Sequence, residues 1–362
     1  TALLRPDPAL TPLLANALAD LADPLRSRLL GIGLPLLGLD AARVLASDPR
    51  LAVRTSALST LPKFGVAAAG DLHAALAASE IPVVLAALRG LGELADGASF
   101  AFVLAFSAEN QPRELRKEAL WALGRIGDAR ALPSLEAAAR SDQPALRVSA
   151  LLAIAQIPGE EALNALGNLF PDFAGTALEG SYLRAILDRG AASARHGLQP
   201  FLVSREPILA RRAALLDGLL GDPAAAPGLM DLLPNNPRSE ELLEALAHTL
   251  CVDFRDLPDP AGTYLAWWRD HAGKPASSWF IEAARGSGFQ LPASFAEGGT
   301  AQPREAVQVL LAILESGPAH LRASATYFLH GLTGVDAQVV LAETPMLEVL
   351  RRAQPWRDWL GG

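Results

Sequence analysis

The sequence predicts an all-α fold, an α-solenoid of stacked helix pairs closed by an irregular C-terminal cap. Three observations predict it: a short segment that recurs at near-constant spacing, two helix-length apolar patterns in each period, and an apolar content made largely of small residues. The clearest copies of the segment are Val53-Arg54-Thr55-Ser56-Ala57, Leu115-Arg116-Lys117-Glu118-Ala119, Leu146-Arg147-Val148-Ser149-Ala150, Ala210-Arg211-Arg212-Ala213-Ala214 and Leu321-Arg322-Ala323-Ser324-Ala325. Aligning the small residue gives Ala57, Ala87, Ala119, Ala150, Ala214 and Ala245, with steps of 30, 32, 31, 64 and 31. The long step is two periods, with a degenerate copy near Tyr182 between them. Units of this length cannot bury an apolar face alone, so each must cover its neighbour's.

The unit from Asn110 to Ala139 shows how one repeat is written. Pro112 follows Asn110-Gln111 at the first turn of a helix, where a missing N–H costs nothing and a polar side chain can cap. Leu115, Ala119, Ala122, Leu123 and Ile126 then share one helical face, and Gly127 ends the helix. Asp128 opens the connection to a second helix through Leu132, Leu135 and Ala139. The same proline punctuation precedes other copies at Pro49, Pro82, Pro144, Pro207, Pro237 and Pro318.

From Leu115 to Asp128 the wording Leu-Arg-x-x-Ala-x-x-Ala-Leu-Gly-Arg-Ile-Gly-Asp resembles a HEAT repeat of the short bacterial type named after phycobilisome lyases. The resemblance covers roughly residues 46–251 and again 304–335, and departs from the arginine position at Val84, Glu179 and Leu242. It implies a right-handed solenoid of HEAT-like pairs whose arginine-bearing helices form the inner, concave layer. Four regions follow: an N-terminal helical cap at 1–45, the repeat solenoid at 46–251, a Trp/Gly/Pro-rich irregular insertion at 252–300, and C-terminal HEAT-like helices with a tail at 301–362. The C-terminal part, with Leu-Thr-Gly-Val-Asp ending at Asp336, the pair Trp267-Trp268 and the segment Ser278-Trp279-Phe280, is similar to the endings of uncharacterised bacterial HEAT-repeat proteins. That likeness points to an accessory component of a bacterial secretion or multi-protein assembly.

Composition and motifs narrow the function classes. Of 362 residues 51% are hydrophobic but only 6% aromatic, which suits closely packed helices. The net charge of −8, from 31 basic and 39 acidic residues, argues against binding a phosphate backbone, which needs a concentrated basic face. Arg89, Arg116, Lys117, Arg125 and Arg147 nevertheless fall in consecutive units, so nucleic-acid binding stands as an alternative. No phosphate loop, dinucleotide fingerprint or nucleophile elbow occurs, and no two of the six histidines lie three to five residues apart. No catalytic residue, metal or cofactor is expected, and the chain reads as a non-enzyme; handling of a bilin chromophore, implied by the lyase resemblance, is the enzymatic alternative. Cys251 reads as a buried thiol, and Asp253, Asp256 and Asp259 as caps and turn acids. No apolar run reaches the roughly 20 residues that span a bilayer. A cytoplasmic location is favoured, or a secreted or periplasmic one if a signal or anchor has been removed ahead of Thr1.

Side chains two before, two after and six after the small residue lie on the exposed flank of each inner helix. This rule predicts a partner-binding ridge of Arg89, Lys117, Trp121, Arg125 and Leu152, in which a tryptophan is flanked by cations and an aliphatic residue. The alternative is that Trp121 packs sideways on a neighbouring helix. Arg54, Arg116, Arg147, Arg211 and Arg322 hold the repeat's arginine position and read as a ladder bonding the inter-helix loops. Trp267, Trp268 and Trp279 read as a plug at the C-terminal joint, and Trp356 and Trp359 as part of a tail that caps the last repeat or docks on a partner. The expected function is a scaffold or adaptor holding a protein or peptide on the concave face, with self-association through the solenoid ends left open.

Overall fold

The structure, a computed structural model, describes residues 23–296, 303–341 and 344–362, with residues 11, 15, 16 and 21 ahead of them. The expected cap at 1–45 therefore lies partly outside the described residues, which carry helices Asp23–Leu37 and Leu39–Ala46. Among the described residues every regular element is an α-helix or a 3-10 turn, and the fold is an all-α solenoid. No helix among them is long and apolar enough to cross a membrane. The chain divides into two compact units, Thr1–Ala165 and Leu166–Gly362.

In the first unit the inner helices are Leu51–Leu58, Ile81–Leu94, Arg113–Ile126 and Pro144–Gln156. Their ends follow local chemistry. Pro82 and Pro144 sit in first turns, and Pro112 is the N-cap of its helix. Ala95 and Gly127 stop their helices in the left-handed conformation at φ 50° and 73°. Asp96 and Asp128 follow at once, and their carboxylates accept the N–H groups of Ala98 and Arg130 at 3.2 and 2.9 Å. The aligned small residues Ala57, Ala87, Ala119 and Ala150 are all fully buried, so the repeat register is also the packing register.

Glycine brings consecutive inner helices into contact. A Cβ on Gly124 would lie 2.6 Å from the backbone Cα of Ala153, and one on Gly92 would lie 2.9 Å from the Cα of Ala122. Both contacts join a helix to the next one along the repeat, at backbone-to-backbone range. Salt bridges of similar sequence span, Arg43–Asp71 at 3.0 Å and Arg89–Glu118 at 2.9 Å, link neighbouring repeats within this unit on the solvent side.

The second unit continues the pairing with inner helices Pro207–Leu219, Glu240–Leu250 and Ala319–Thr333. The degenerate copy is the helix Glu179–Leu187, in which fully buried Tyr182 donates its hydroxyl to the Leu166 carbonyl at 3.0 Å. Residues 252–300 carry helices Pro260–His271, Ala276–Gly286 and the short Ala293–Ala296, although no repeat pattern marks them. Asp259 caps the first of these, accepting Gly262 N–H at 3.0 Å, and Asp253 pairs with Arg255 at 2.7 Å. Two apolar clusters fill the unit, one around Leu229, Leu246 and Tyr264, the other around Phe280, Leu310, Leu329 and Trp356. Cys251 is buried there, its thiol 3.3 Å from Ser324 Oγ, and burial pushes its pKa up to about 12. At that value the thiolate is scarce at neutral pH and the group is inert.

Candidate functional site

The predicted ridge maps onto neighbouring helices of the first unit. Lys117, Trp121 and Arg125 stand at i, i+4 and i+8 on Arg113–Ile126, Arg89 on the helix before and Leu152 on the helix after. Lys117 and Arg125 are exposed and make no hydrogen bond or ion pair among the described residues. Trp121 is half-buried, and its ring rests on Gly92, where a Cβ would come within 2.5 Å of Trp121 Cζ3. The indole therefore packs sideways on the preceding helix while the rest of it faces outward between two cations. Arg89 is engaged instead: its Nε and Nη2 donate to the two carboxylate oxygens of Glu118 at 2.9 and 3.0 Å. Leu152 is half-buried.

Arginines at the repeat position bind loops and neighbouring caps. Arg54 donates to the Asp48 carbonyl at 3.0 Å and to the carboxylate of Glu80, the N-cap residue of the next inner helix, at 2.6 Å. Arg147 Nε donates to the Ala139 carbonyl at 3.1 Å, and Arg211 reaches Asn236 Oδ1 at 3.3 Å. Arg116 is buried with Nε unpaired, and Arg322 is half-buried on Ala319–Thr333. Of the five cations that favoured nucleic acid, Arg89 and Arg147 are bonded internally and Arg116 is buried.

The tryptophans of the second unit are structural in their contacts. Trp279 is buried, donates from Nε1 to the His271 carbonyl at 3.1 Å, and meets Trp267 and Trp268 edge-on at 5.8 and 5.7 Å. Trp356 is fully buried in the second cluster, and Trp359 is half-buried against it, so the helix Met346–Gly361 is anchored by its own tryptophans.

A group that sequence reasoning did not single out lies elsewhere in the second unit. Arg195, on helix Ala191–Leu202, is 5% exposed, yet its Nη1 has no hydrogen-bond partner. Its Nε is 3.8 Å from Asp222 Oδ2, too far for a hydrogen bond, and its guanidinium lies 4.8 Å from the Tyr327 ring centroid. Asp217 is fully buried with neither carboxylate oxygen bonded. Burial, reinforced by the charge of Asp222 and opposed by Arg195, pushes its pKa up to about 8. Arg195 and Asp222 border a cavity of about 510 Å³, lined also by His196, Tyr327, Phe328 and His330 among others.

Signals for this group existed in the repeat itself. Asp217 stands three residues after Ala214, the position held by Ala122 and Ala153 in the first unit, so an acid replaces a core alanine. Asp222 follows Gly221 as Asp128 follows Gly127, and caps its turn in the same way, accepting Ala224 N–H at 2.9 Å. It is a repeat cap put to a second use. Arg195 and Asp336 carried no such signal. Asp336 caps Ala191–Leu202 from 143 residues away, accepting Ser193 N–H at 3.0 Å and Ala192 N–H at 2.8 Å. Among the described residues no cluster of three or more His, Cys, Asp or Glu side chains is placed to hold a metal ion.

The family pattern of HEAT repeats matches residues 71–155 and 101–173. No curated protein matches the sequence. Among solved structures, YibA of Escherichia coli is 17% identical, with 65% of this chain and 95% of that chain covered at a TM-score of 0.36. In the complex of CpcE and CpcF of the Nostoc phycocyanin lyase, identity is 17%, coverage 80% and 94%, and TM-score 0.33. Kap95p, solved bound to RanGDP, is 13% identical over 98% of this chain and 52% of its own, at a TM-score of 0.41. Likeness at this level assigns neither activity nor partner. HEAT repeats generally mediate protein interactions. With its small residues buried in the repeat register, its arginines on the loops and the family pattern over residues 71–173, the chain carries HEAT repeats there.

Proposed function

We propose that this protein is a non-enzymatic scaffold that binds a partner protein along the inner-helix flank of its first unit, through an acidic segment bearing one large apolar side chain. The observation that carries this reading is the pair of exposed, unpaired cations Lys117 and Arg125 on either side of Trp121. Other exposed arginines of the unit are spent on neighbouring acids, among them Arg89 on Glu118 and Arg43 on Asp71. An aromatic held on a rigid helix, with its ring seated on Gly92, presents apolar area at low entropic cost, and unpaired cations beside it steer an acidic partner. Leu152 extends the apolar floor onto the next helix.

Affinity capture from native lysate, comparing wild type with a Trp121→Ala/Arg125→Glu variant of unchanged helical circular dichroism, tests it. A partner retained by wild type, lost by the variant and released by moderate salt is the expected result. Identical capture by both proteins would refute this face as the binding surface.

A further inference from the structure

We propose that the cavity between helices Ala191–Leu202 and Ala319–Thr333 of the second unit binds a small zwitterion, a free α-amino acid, with Arg195 taking its carboxylate and Asp222 its ammonium group. This site is independent of the Trp121 ridge.

The Arg195 guanidinium is incompletely satisfied. A guanidinium that is 5% exposed has surrendered most of its hydration, yet Nη1 bonds nothing and the nearest carboxylate oxygen recorded is 3.8 Å away. Breaking or omitting the partner of a buried charge is costly, and the Tyr327 ring, 4.8 Å from the guanidinium carbon, offers no hydrogen-bond acceptor to that group through its face. What the guanidinium lacks is a hydrogen-bond acceptor at close range, which a ligand carboxylate supplies.

Asp222 sets the second half of the ligand. One of its oxygens, Oδ1, is occupied by Ala224 N–H, while Oδ2 is the oxygen turned toward Arg195 at long range. A ligand carrying only negative charge would meet this carboxylate at close quarters, and a phosphate dianion would meet it with twice the repulsion. An ammonium group removes that conflict and gives Oδ2 a donor. A divalent cation fits poorly for the converse reason, since Arg195 stands in the same cavity. Beyond the two charges, Tyr327 and Phe328 provide an apolar wall, and exposed His196 and Gln199 mark the open side. The volume of about 510 Å³ admits the zwitterionic head together with a side chain.

The fold holds both charges rigidly. Asp336 and Ala337 tie down the start of the Arg195 helix, the first by accepting Ala192 N–H at 2.8 Å, the second by accepting Ala191 N–H at 3.0 Å. Gly221, just ahead of Asp222, lies against the Ser324 backbone, where its own Cβ would come within 2.5 Å of the Ser324 nitrogen. Three separate stretches of the unit thus converge on one polar recess.

The test is calorimetric titration of the full chain with each protein-building L-amino acid at millimolar concentration. For whichever binds, the N-acetyl form and the carboxamide form follow. The expected result is saturable binding of at least one free amino acid, weakened tenfold or more by either modification, and likewise by Arg195→Met or Asp222→Asn. The acetylated form mimics a peptide C-terminus and the amide a peptide N-terminus. Equal binding of the first would replace the zwitterion by a protein or peptide carboxylate and overturn the proposal, as would equal binding of the second. Binding by none of the amino acids refutes it outright. Should either variant fail to fold, the ligand series on the wild-type protein decides the question alone.

Discussion

The two units use one repeat to different ends. In the first, the buried positions facing the next helix are alanine and glycine: Ala122 under Gly92, Ala153 under Gly124. No carboxylate is buried there among the described residues, and the helices approach to backbone contact. In the second, the same repeat position carries Asp217, the loop cap Asp222 is buried, and Arg195 and Glu179 join them out of solvent. Glu179 is matched, its carboxylate accepting from Arg212 Nε at 3.0 Å, whereas Asp217 and Arg195 Nη1 are not. Packing of small residues is satisfied by the chain alone. A buried polar group without a hydrogen-bond partner is not, and among the described residues only the second unit buries a carboxylate in that condition, Asp217.

Substitutions can break this contrast, and the largest effect belongs to Gly221. It sits at φ 71°, and a Cβ there would strike the Ser324 backbone at 2.5 Å. Gly221→Ala therefore combines left-handed strain with overpacking against atoms that cannot rotate away, for a loss of about 4 kcal/mol. Chemical unfolding monitored in the second unit should show it; a loss below about 1 kcal/mol would mean the Ser324 contact relaxes freely.

Next comes the close approach in the first unit. Gly124→Ala places a methyl 2.6 Å from Ala153 Cα and should cost about 2–3 kcal/mol by prising the two helices apart. A neutral or stabilising outcome, as helix propensity alone would give, would show that the glycine serves no contact.

Smallest in size, and opposite in sign, is Asp217→Asn. Burial raises the Asp217 pKa from 3.8 to about 8, so between those values the folded chain holds a proton that the unfolded chain releases. This contribution to stability is fully present below about pH 3.8 and is lost as pH rises toward 8. Burial also raises the pKa of Asp222, which adds to the same slope. Asparagine removes the ionisation while keeping the shape, and should stabilise the protein by about 2 kcal/mol at pH 7, with less gain at pH 5. Thermal midpoints across pH 5 to 8 measure both; a wild-type midpoint that rises with pH would contradict the buried, protonated state.

The helices, their caps and the register of the small residues can all be read from the amino-acid order, because they follow from nearest-neighbour chemistry. Pro82 and Pro144 start helices, Gly127 stops one, and Ala87, Ala119 and Ala150 are buried where the period places them. Each depends on residues within a turn or two, or on a neighbouring unit with the same pattern, and so is encoded in every copy. The exposure of Arg89, Lys117 and Arg125 follows from the same rule; that Arg89 is held by Glu118 and that Trp121 leans on Gly92 required the contact between helices. Likewise the composition of residues 252–300 hid the helices Pro260–His271 and Ala293–Ala296, whereas the resemblance already implied the Trp-bearing helix at Ser278-Trp279-Phe280.

The all-α solenoid is thus written in the amino-acid order alone, since a repeat that buries its face on its own copy specifies both element and stacking. The recess in the second unit is not, and it exists only once the helices have packed. Arg195 meets Asp222 across 27 positions and Tyr327 across 132, and Asp336 caps a helix that starts at Ala191. No local pattern records such encounters, because they are fixed by where folded helices bring distant side chains, and burial then sets what those side chains can do.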